Sequence, residues 1–291
     1  MEPKGISQEG GNTSLRDALA NLGRKLTQVR NAKEQGTETR ELERLRDSYL
    51  SLMQGCLTGI IYEDKPLKAL GTEVYDRSVR EVGRDWPSMA HTMIGVKRLA
   101  NLRTLAESVI RNRIPGDLIE TGVWRGGACI LMRAILNAHG VTDRRVWVAD
   151  SFQGVPPPDL KNYPADEDST YHTFEELSVS FEMVRRNFEK YGLLDDQVVF
   201  LKGWFKDTLP SAPIDRLALL RLDGDLYEST IIALNTLYDK LSPGGYVIVD
   251  DYHVVSGCRN AIGDFLASRK ISSGLSEIDG VGVFWQKTPL S

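Results

Sequence analysis

From Pro115 onward the chain alternates short apolar runs with stretches of helical periodicity, and this alternation restricts its fold more than any other feature. The apolar runs predict strands at residues 117–123, 145–150, 197–203, 217–224 and 246–252. The intervening stretches predict helices at residues 127–139, 175–191, 228–241 and 257–270, and the C-terminal SEIDGVGVFWQK predicts one or two closing strands. Strands that are apolar along nearly their whole length are typical of parallel sheets covered on both faces. We therefore predict an α/β fold with a mostly parallel, doubly wound sheet.

Ahead of the sheet the sequence predicts helices. Residues 1–54 combine a stretch rich in Gly, Ser, Glu and Lys, predicted to be a disordered tail, with leucines at three- and four-residue steps, as in extra N-terminal helices. Residues 55–115 are predicted to form a helical lid or cap section, in which Pro87 suits the first turn of a helix. The α/β domain is expected to occupy residues 116–291. It contains a long irregular insertion at residues 152–174, a length that usually marks a functional lid or a disordered segment.

Composition argues against several classes of protein. The 291 residues are 41% hydrophobic and 26% charged, which is ordinary for a globular protein with a large core. The formal net charge of −4 gives no reason to expect a nucleic-acid or membrane partner. No apolar run approaches the roughly 20 residues that span a bilayer, and the polar N-terminus lacks a signal peptide. We therefore expect a cytoplasmic protein. The three cysteines show no zinc-binding spacing.

A glycine-rich turn, ETGVWRGG, follows the first predicted strand. Gly122 and the pair Gly126-Gly127 allow a tight turn and a close approach of a ligand to the backbone. This is the nucleotide-binding position of a doubly wound sheet, although the spacing is not the GxGxxG of dinucleotide sites. The acidic Glu120 before the turn fits a cationic ligand better than a pyrophosphate.

Asp150 ends the second predicted strand, in VWVADSFQG. An acid at this position of a nucleotide-binding fold accepts hydrogen bonds from ribose hydroxyls. A strand-end aspartate can equally cap a helix, and the residue alone does not decide between the two roles. Because the glycine-rich turn precedes it, we favour the ligand-binding role.

Four carboxylates are predicted to converge where the next two strands end. LDGD supplies Asp223 and Asp225, and VDDY supplies Asp250 and Asp251. Unpaired carboxylates so close together would repel one another, and a hard cation is the simplest compensation. Oxygen ligands without a neighbouring cysteine or histidine set favour Mg²⁺ or a similar ion over zinc.

Several motifs, in this order, resemble those of the macrocin O-methyltransferase family: HTMIG…LANL, PGDLIETGVWRGGACI, VWVADSFQG, YGLLDDQVVFLKGWFKDTLP, LRLDGDLYEST and LSPGGYVIVDDY. The resemblance runs from about residue 55 to residue 287. It implies a Rossmann-like class I methyltransferase fold with an N-terminal helical extension, which uses S-adenosylmethionine with Mg²⁺ or a similar divalent cation. Members methylate deoxysugar hydroxyls in antibiotic biosynthesis. The resemblance therefore implies a sugar or glycoside acceptor, either an activated deoxysugar or a glycosylated natural product, and a homo-oligomer.

The resemblance also implies roles for individual residues. Asp225 matches the proposed general base, and the metal ligands fall on Asp223, Asp250 and Asp251. Cofactor contacts are implied for Glu120, Gly122, Asp150, Ser151, Trp204 and Asp223. Substrate contacts are implied for Met93, Trp86 and His172, where His172 could equally be an exposed loop histidine.

These roles predict a mechanism in which a metal chelates two vicinal sugar hydroxyls and lowers the pKa of one, while Asp225 takes its proton. A catechol-type, metal-dependent O-methyltransferase is one alternative, although the acidic insertion favours a polar acceptor. An NAD(P)-dependent oxidoreductase would need the missing GxGxxG turn and a Tyr-x-x-x-Lys pair. A non-catalytic binding module is disfavoured by the presence of all four acids together with the glycine turn.

Overall fold

The computed structural model describes residue 19 and residues 36–68, 74–272 and 274–288. The predicted disordered tail and nearly all of the helical periodicity before residue 36 lie outside the described residues. Helices α1 (Gly36–Thr58), α2 (Arg77–Glu81) and α3 (Gly95–Arg111) precede the sheet. On α3 the predicted apolar stripe is buried, with Leu99, Leu102, Leu105 and Val109 facing the core.

The prediction that a helix starts at Pro87 is wrong. Pro87 forms an isolated bridge with Pro66, and α3 begins only at Gly95. The backbone amides of Met89 and Ala90 both donate to the carboxylate of Asp64, at 2.8 and 2.7 Å. This side chain therefore holds the segment in a loop and takes the donors that a helical turn would use.

A seven-stranded sheet forms the centre of the described chain. Its strands are β1 (Asp117–Thr121), β2 (Val146–Asp150), β3 (Val198–Lys202), β4 (Leu217–Leu222), β5 (Leu241–Val249), β6 (Ser276–Glu277) and β7 (Val283–Gln286). The spatial order is β3-β2-β1-β4-β5-β7-β6, with the first five strands parallel and β7 antiparallel to both of its neighbours. The predicted doubly wound α/β fold is confirmed. The strand order reverses between β1 and β4, which is where such sheets bind ligands.

Helices cover both faces of the sheet. Besides α1 and α3, the described helices that follow β1 are α4 (Gly127–Ala138), α5 (Phe181–Tyr191), α6 (Phe205–Thr208), α7 (Tyr227–Leu237) and α8 (Ser256–Ser268). One apolar core joins α1, α3, α4 and α5 to the sheet, and a second joins α7 and α8 to the other face. Because both faces are covered, the carboxyl edge of the strands is where polar side chains can meet a ligand. Among the described helices, none has the length and apolar character needed to cross a membrane.

The predicted helix at 175–191 begins later than expected, at Phe181. Residues 175–177 form a separate 3₁₀ turn, and Ser180 adopts an extended conformation behind it. The Ser180 hydroxyl accepts a hydrogen bond from the amide of Met183, so it caps the true start of α5.

Candidate active site

A cavity of about 810 Å³ opens at the carboxyl edge of the parallel strands. The strand ends form its floor. A loop at residues 83–94, the front loop, and the insertion at residues 152–174 supply the rest of its lining, together with the segments that flank them. The predicted cap section and the predicted lid therefore meet over one cavity.

The glycine turn after β1 brings two strand ends into contact. Gly122 has a φ of +89°, and a Cβ there would lie 1.8 Å from the carbonyl oxygen of Asp223. Gly127 opens α4, where a Cβ would lie 2.4 Å from the carbonyl oxygen of His91 in the front loop. Both positions line or adjoin the cavity, and both require the absence of a side chain.

Glu120, on β1, is only 2% exposed at the floor of the cavity. It forms an ion pair with Arg221 of β4, and the Cys129 thiol donates to its other oxygen at 2.8 Å. Burial raises the pKa of Glu120 to about 7, against the opposing effect of Arg221. The carboxyl group thus sits close to a change of charge near neutral pH, directly beneath the glycine turn.

Asp150 lies beside this turn at the end of β2. The backbone amides of Val123 and Phe152 each donate to one of its two oxygens at 2.7 Å. Burial raises the pKa of the Asp150 carboxyl, and these two amide donors oppose the rise. Its side chain is therefore held in a fixed orientation on the cavity wall. The next residue, Ser151, uses its hydroxyl to donate to the carbonyl of Gly154 and lines the same wall.

Asp223, Asp250 and Asp251 form a compact group of carboxylates. Each can offer one oxygen such that the three oxygens lie within 4.8 Å of one another. One oxygen of Asp251 is buried without a hydrogen-bond partner among the described residues. A buried polar atom without a partner costs free energy, so this oxygen is available to a ligand. The site thus has the donor type and spacing that a hard divalent cation requires.

Asp225 faces the same cavity from the loop after β4. Its backbone is in the left-handed region, with a φ of +57°, which is costly for a residue other than glycine. Burial, with the nearby charges of Asp223 and Asp250, raises the pKa of Asp225 to about 8. The carboxyl group is therefore a much stronger base than an ordinary aspartate.

Two buried arginines add to the predicted compensation by a cation, because they form ion pairs with several of the strand-end acids. Arg221 forms ion pairs with Glu120, Asp223 and Asp250, and Arg98 of α3 forms an ion pair with Asp250. Both guanidinium groups are nearly inaccessible to solvent. Sequence reasoning missed them, although a charged residue inside the apolar run LALLRLDG is a signal for a buried ion pair.

The front loop and the insertion place aromatic side chains over the acids. The rings of Trp86 and Phe174 pack edge to face, with their centroids 5.3 Å apart. The ring centroids of Tyr171 and Phe174 are 6.5 Å apart. All three line the cavity, as do Met93 and Trp204. Burial and the negative charges of Asp225 and Asp251 raise the pKa of the Tyr171 phenol, so this ring lies on the acidic side of the cavity.

His172 is the one predicted site residue that the structure places elsewhere. Its side chain is exposed and does not line the cavity, whereas that of its neighbour Tyr171 does. The two residues share a 3₁₀ turn, in which successive side chains point in different directions. The alternative of an exposed loop histidine fits this placement.

Comparison with known proteins identifies related chains. The model of the family Macrocin-O-methyltransferase (TylF) matches residues 46–287. The 8-demethyl-8-(2,3-dimethoxy-alpha-L-rhamnosyl)-tetracenomycin-C 4'-O-methyltransferase of Streptomyces olivaceus is 56% identical over 254 residues, covering 86% of this chain and 96% of the relative. Demethyldecarbamoylnovobiocin O-methyltransferase of Streptomyces niveus is 56% identical over 244 residues, covering 82% and 93%. Mycinamicin III 3''-O-methyltransferase of Micromonospora griseorubida is 49% identical over 245 residues, covering 82% and 96%.

Solved structures agree with this relationship. The O-methyltransferase NovP has a TM-score of 0.80 at 56% identity, covering 84% of this chain and 99% of that chain. The calicheamicin methyltransferase CalS11 has a TM-score of 0.54 at 18% identity, and the match covers 87% of this chain and 94% of that chain. At this identity the likeness supports the fold alone.

Proposed function

Because the chain belongs to the macrocin O-methyltransferase family and is an S-adenosylmethionine-dependent O-methyltransferase, we propose that it methylates a sugar hydroxyl of a glycosylated natural product with the help of Mg²⁺ or a similar cation. The observation that carries the proposal is the carboxylate group of Asp223, Asp250 and Asp251 at the floor of the cavity. The name of one relative specifies a rhamnosyl 4'-position, and that of another a 3''-position of a mycinamicin. Their different aglycones favour the sugar as the shared feature of the acceptor.

The glycine-turn side of the cavity suits the cofactor. We assign contacts with the ribose hydroxyls to Asp150, whose orientation is fixed by two backbone amides. Gly122 allows close approach of the ligand, and Glu120 supplies negative charge beneath a sulfonium cation. Further contacts fall to residues on the cavity wall, namely Ser151, Trp204 and Asp223.

The carboxylate group suits a divalent cation. The two arginines pair with Asp223 and Asp250, whereas no ion pair is found for Asp251 among the described residues. The unpartnered oxygen of Asp251 supports the same assignment. When bound, a divalent cation lowers the pKa of a coordinated hydroxyl and orients it.

Asp225 is the base that we assign to the acceptor hydroxyl. It lines the cavity from a residue whose backbone is in the left-handed region. It lines the same cavity as the proposed metal ligands, where a base for the acceptor hydroxyl is needed. The proton of the sugar hydroxyl moves to a carboxylate oxygen of Asp225 as the oxygen–methyl bond forms. The sulfur–methyl bond of S-adenosylmethionine breaks in the same step and S-adenosylhomocysteine is released.

The front loop and the insertion exclude water and position the acceptor. Trp86, Met93 and Phe174 are apolar and line the same cavity as the acids. Aromatic rings can pack against the apolar face of a sugar ring while its hydroxyls face the carboxylates. This arrangement favours an acceptor that is apolar on one face and polar on the other.

The acceptor named for one relative refines the predicted chelation by two vicinal hydroxyls. That sugar carries methoxy groups at positions 2 and 3 and is methylated at position 4'. The oxygen next to the reacting hydroxyl is then an ether oxygen. We therefore propose that this chain also requires only one free hydroxyl beside a second oxygen.

The experiment that tests the proposal is isothermal titration of the full chain with S-adenosylhomocysteine and, separately, with Mg²⁺. We expect both to bind, and we expect Asp251→Asn to weaken Mg²⁺ binding while S-adenosylhomocysteine still binds. Asp239→Asn, at an exposed surface pair, is the matched control and should change neither. Unchanged Mg²⁺ binding in Asp251→Asn would refute the metal site, and NAD(P)H binding in place of S-adenosylhomocysteine would refute the cofactor assignment.

A further inference from the structure

Helix α7 begins directly after the acidic loop and has no cap of its own. Leu226 occupies the N-cap position, and its apolar side chain can accept no hydrogen bond from the first turn. The amides of Tyr227 and Glu228 instead donate to Asp166, at 2.6 Å to one carboxylate oxygen and 3.1 Å to the other. Asp166 belongs to the insertion, and it is only 2% exposed.

Residues of α8 and of the insertion also support the contact between Asp166 and α7. A Cβ at Gly257, in the first turn of α8, would lie 2.3 Å from a carboxylate oxygen of Asp166, so this position leaves room for the carboxylate. Tyr163 of the insertion also lies 6.0 Å from the ring of Tyr227. The insertion is therefore attached to the start of α7 by a buried charge and a ring contact.

Two parts of the candidate active site meet at this contact. Helix α7 continues the chain from Asp225, so a shift of its first turn moves the loop that holds Asp223 and Asp225. Tyr171, five residues after Asp166 in the insertion, lines the cavity on its acidic side. One side chain thus connects the segment above the cavity to the loop beneath it.

We propose that Asp166 is a positioning residue for methyl transfer: by capping α7 from the insertion, it couples the position of the insertion over the cavity to the placement of Asp223 and Asp225. The catalytic consequence rests on the proposed function, whereas the structural coupling does not. A carboxylate suits this task because it accepts from two amides at once and carries the negative charge that a helix N-terminus favours.

Three variants separate this role from ordinary stability. Asp166→Asn keeps the shape but leaves only one accepting oxygen. Gly257→Ala keeps the Asp166 side chain but places a Cβ 2.3 Å from its carboxylate oxygen and 3.0 Å from the amide nitrogen of Tyr227, so it crowds the same contact from α8. Alanine favours the helix that contains it. Asp168→Asn, on an exposed residue of the same insertion, is the control.

Hydrogen exchange measured by mass spectrometry on the full chain, with S-adenosylhomocysteine present, tests the coupling directly. Asp166→Asn and Gly257→Ala should both speed exchange, by roughly fivefold for a lost cap of average strength, in the insertion and in the first turn of α7 together. Asp168→Asn should match the wild type. Faster exchange in only one of the two segments, or in neither, overturns the coupling.

Kinetics then test the catalytic consequence, with 8-demethyl-8-(2,3-dimethoxy-alpha-L-rhamnosyl)-tetracenomycin C as the acceptor probe. Both variants should lower kcat per folded molecule or raise the KM for the acceptor, while the affinity for S-adenosylhomocysteine changes less. Loss of thermal stability with unchanged kcat and KM shows a purely structural cap and overturns the positioning role. If the wild type methylates no glycoside, the proposed function fails, while the exchange result still decides the coupling.

Discussion

Replacing Arg221 by methionine should destabilise the protein more than almost any other single substitution. Its guanidinium group is 1% exposed and forms ion pairs with Glu120, Asp223 and Asp250, so its loss leaves three buried carboxyl groups with one fewer positive charge. Breaking a buried ion pair by removing one partner typically costs about 3 to 5 kcal/mol. Because three acids are affected and Arg98 compensates only Asp250 among them, we expect a loss near the upper end of this range.

Urea unfolding of Arg221→Met at neutral pH, followed by circular dichroism, measures this loss. The matched control is Arg269→Met, which breaks an exposed pair with Asp239 and should cost at most about 1 kcal/mol. If the unfolding free energy of Arg221→Met lay within about 1 kcal/mol of the wild-type value, the reasoning would be refuted, because the acids would then not depend on Arg221 for their charge.

Three further predictions concern the front loop and the glycine turn. Burial lowers the pKa of His91 to about 4, so the stability due to its neutral form is fully present above its ordinary value and is lost as pH falls toward 4. Relative to wild type, His91→Gln should therefore gain up to about 3 kcal/mol in unfolding free energy between about pH 7 and about pH 4, and a constant difference would contradict this. Gly122→Ala should abolish S-adenosylhomocysteine binding in a titration, because its Cβ would lie 1.8 Å from the carbonyl oxygen of Asp223; wild-type affinity would contradict the close approach. Trp86→Ala should raise the KM for a glycoside acceptor about tenfold or more, while Trp86→Phe, which keeps an aromatic ring, retains most of the affinity; equal kinetics for both would exclude an aromatic contact with the acceptor.

The sheet was predictable because its signal is local. Most of the parallel strands are short, nearly continuous apolar runs, and those at 117–121, 146–150 and 217–222 were predicted within two residues of their ends. Strand β5 begins at Leu241, five residues before its predicted start, because its first half, LSPGG, is not an apolar run. The convergence of acids was predictable for the same reason, since residues that follow parallel strands meet at one edge. The structure brings Asp223, Asp250 and Asp251 together as expected.

What the sequence did not reveal depends on contacts between distant segments. Arg98 and Asp250 are separated by most of the α/β domain, and nothing in the helical periodicity around Arg98 indicates a charged partner. The cap that Asp166 gives to α7 is equally non-local: the sequence offers Asp225 as a local cap, but the structure places Leu226 at the N-cap position and Asp166 accepts from the first turn. The loop around Pro87 follows the same rule, because Asp64 takes the amides that a helix would have used.

The most direct measurement of the central claim is transfer of a labelled methyl group from S-adenosylmethionine to a rhamnosyl glycoside and, in parallel, to its aglycone. We predict that only the glycoside is methylated, that EDTA abolishes the reaction, and that Mg²⁺ restores it in the wild type but not in Asp251→Asn. Transfer to the aglycone, or transfer to the glycoside that continues unchanged in EDTA, would contradict metal-assisted methylation of a sugar hydroxyl.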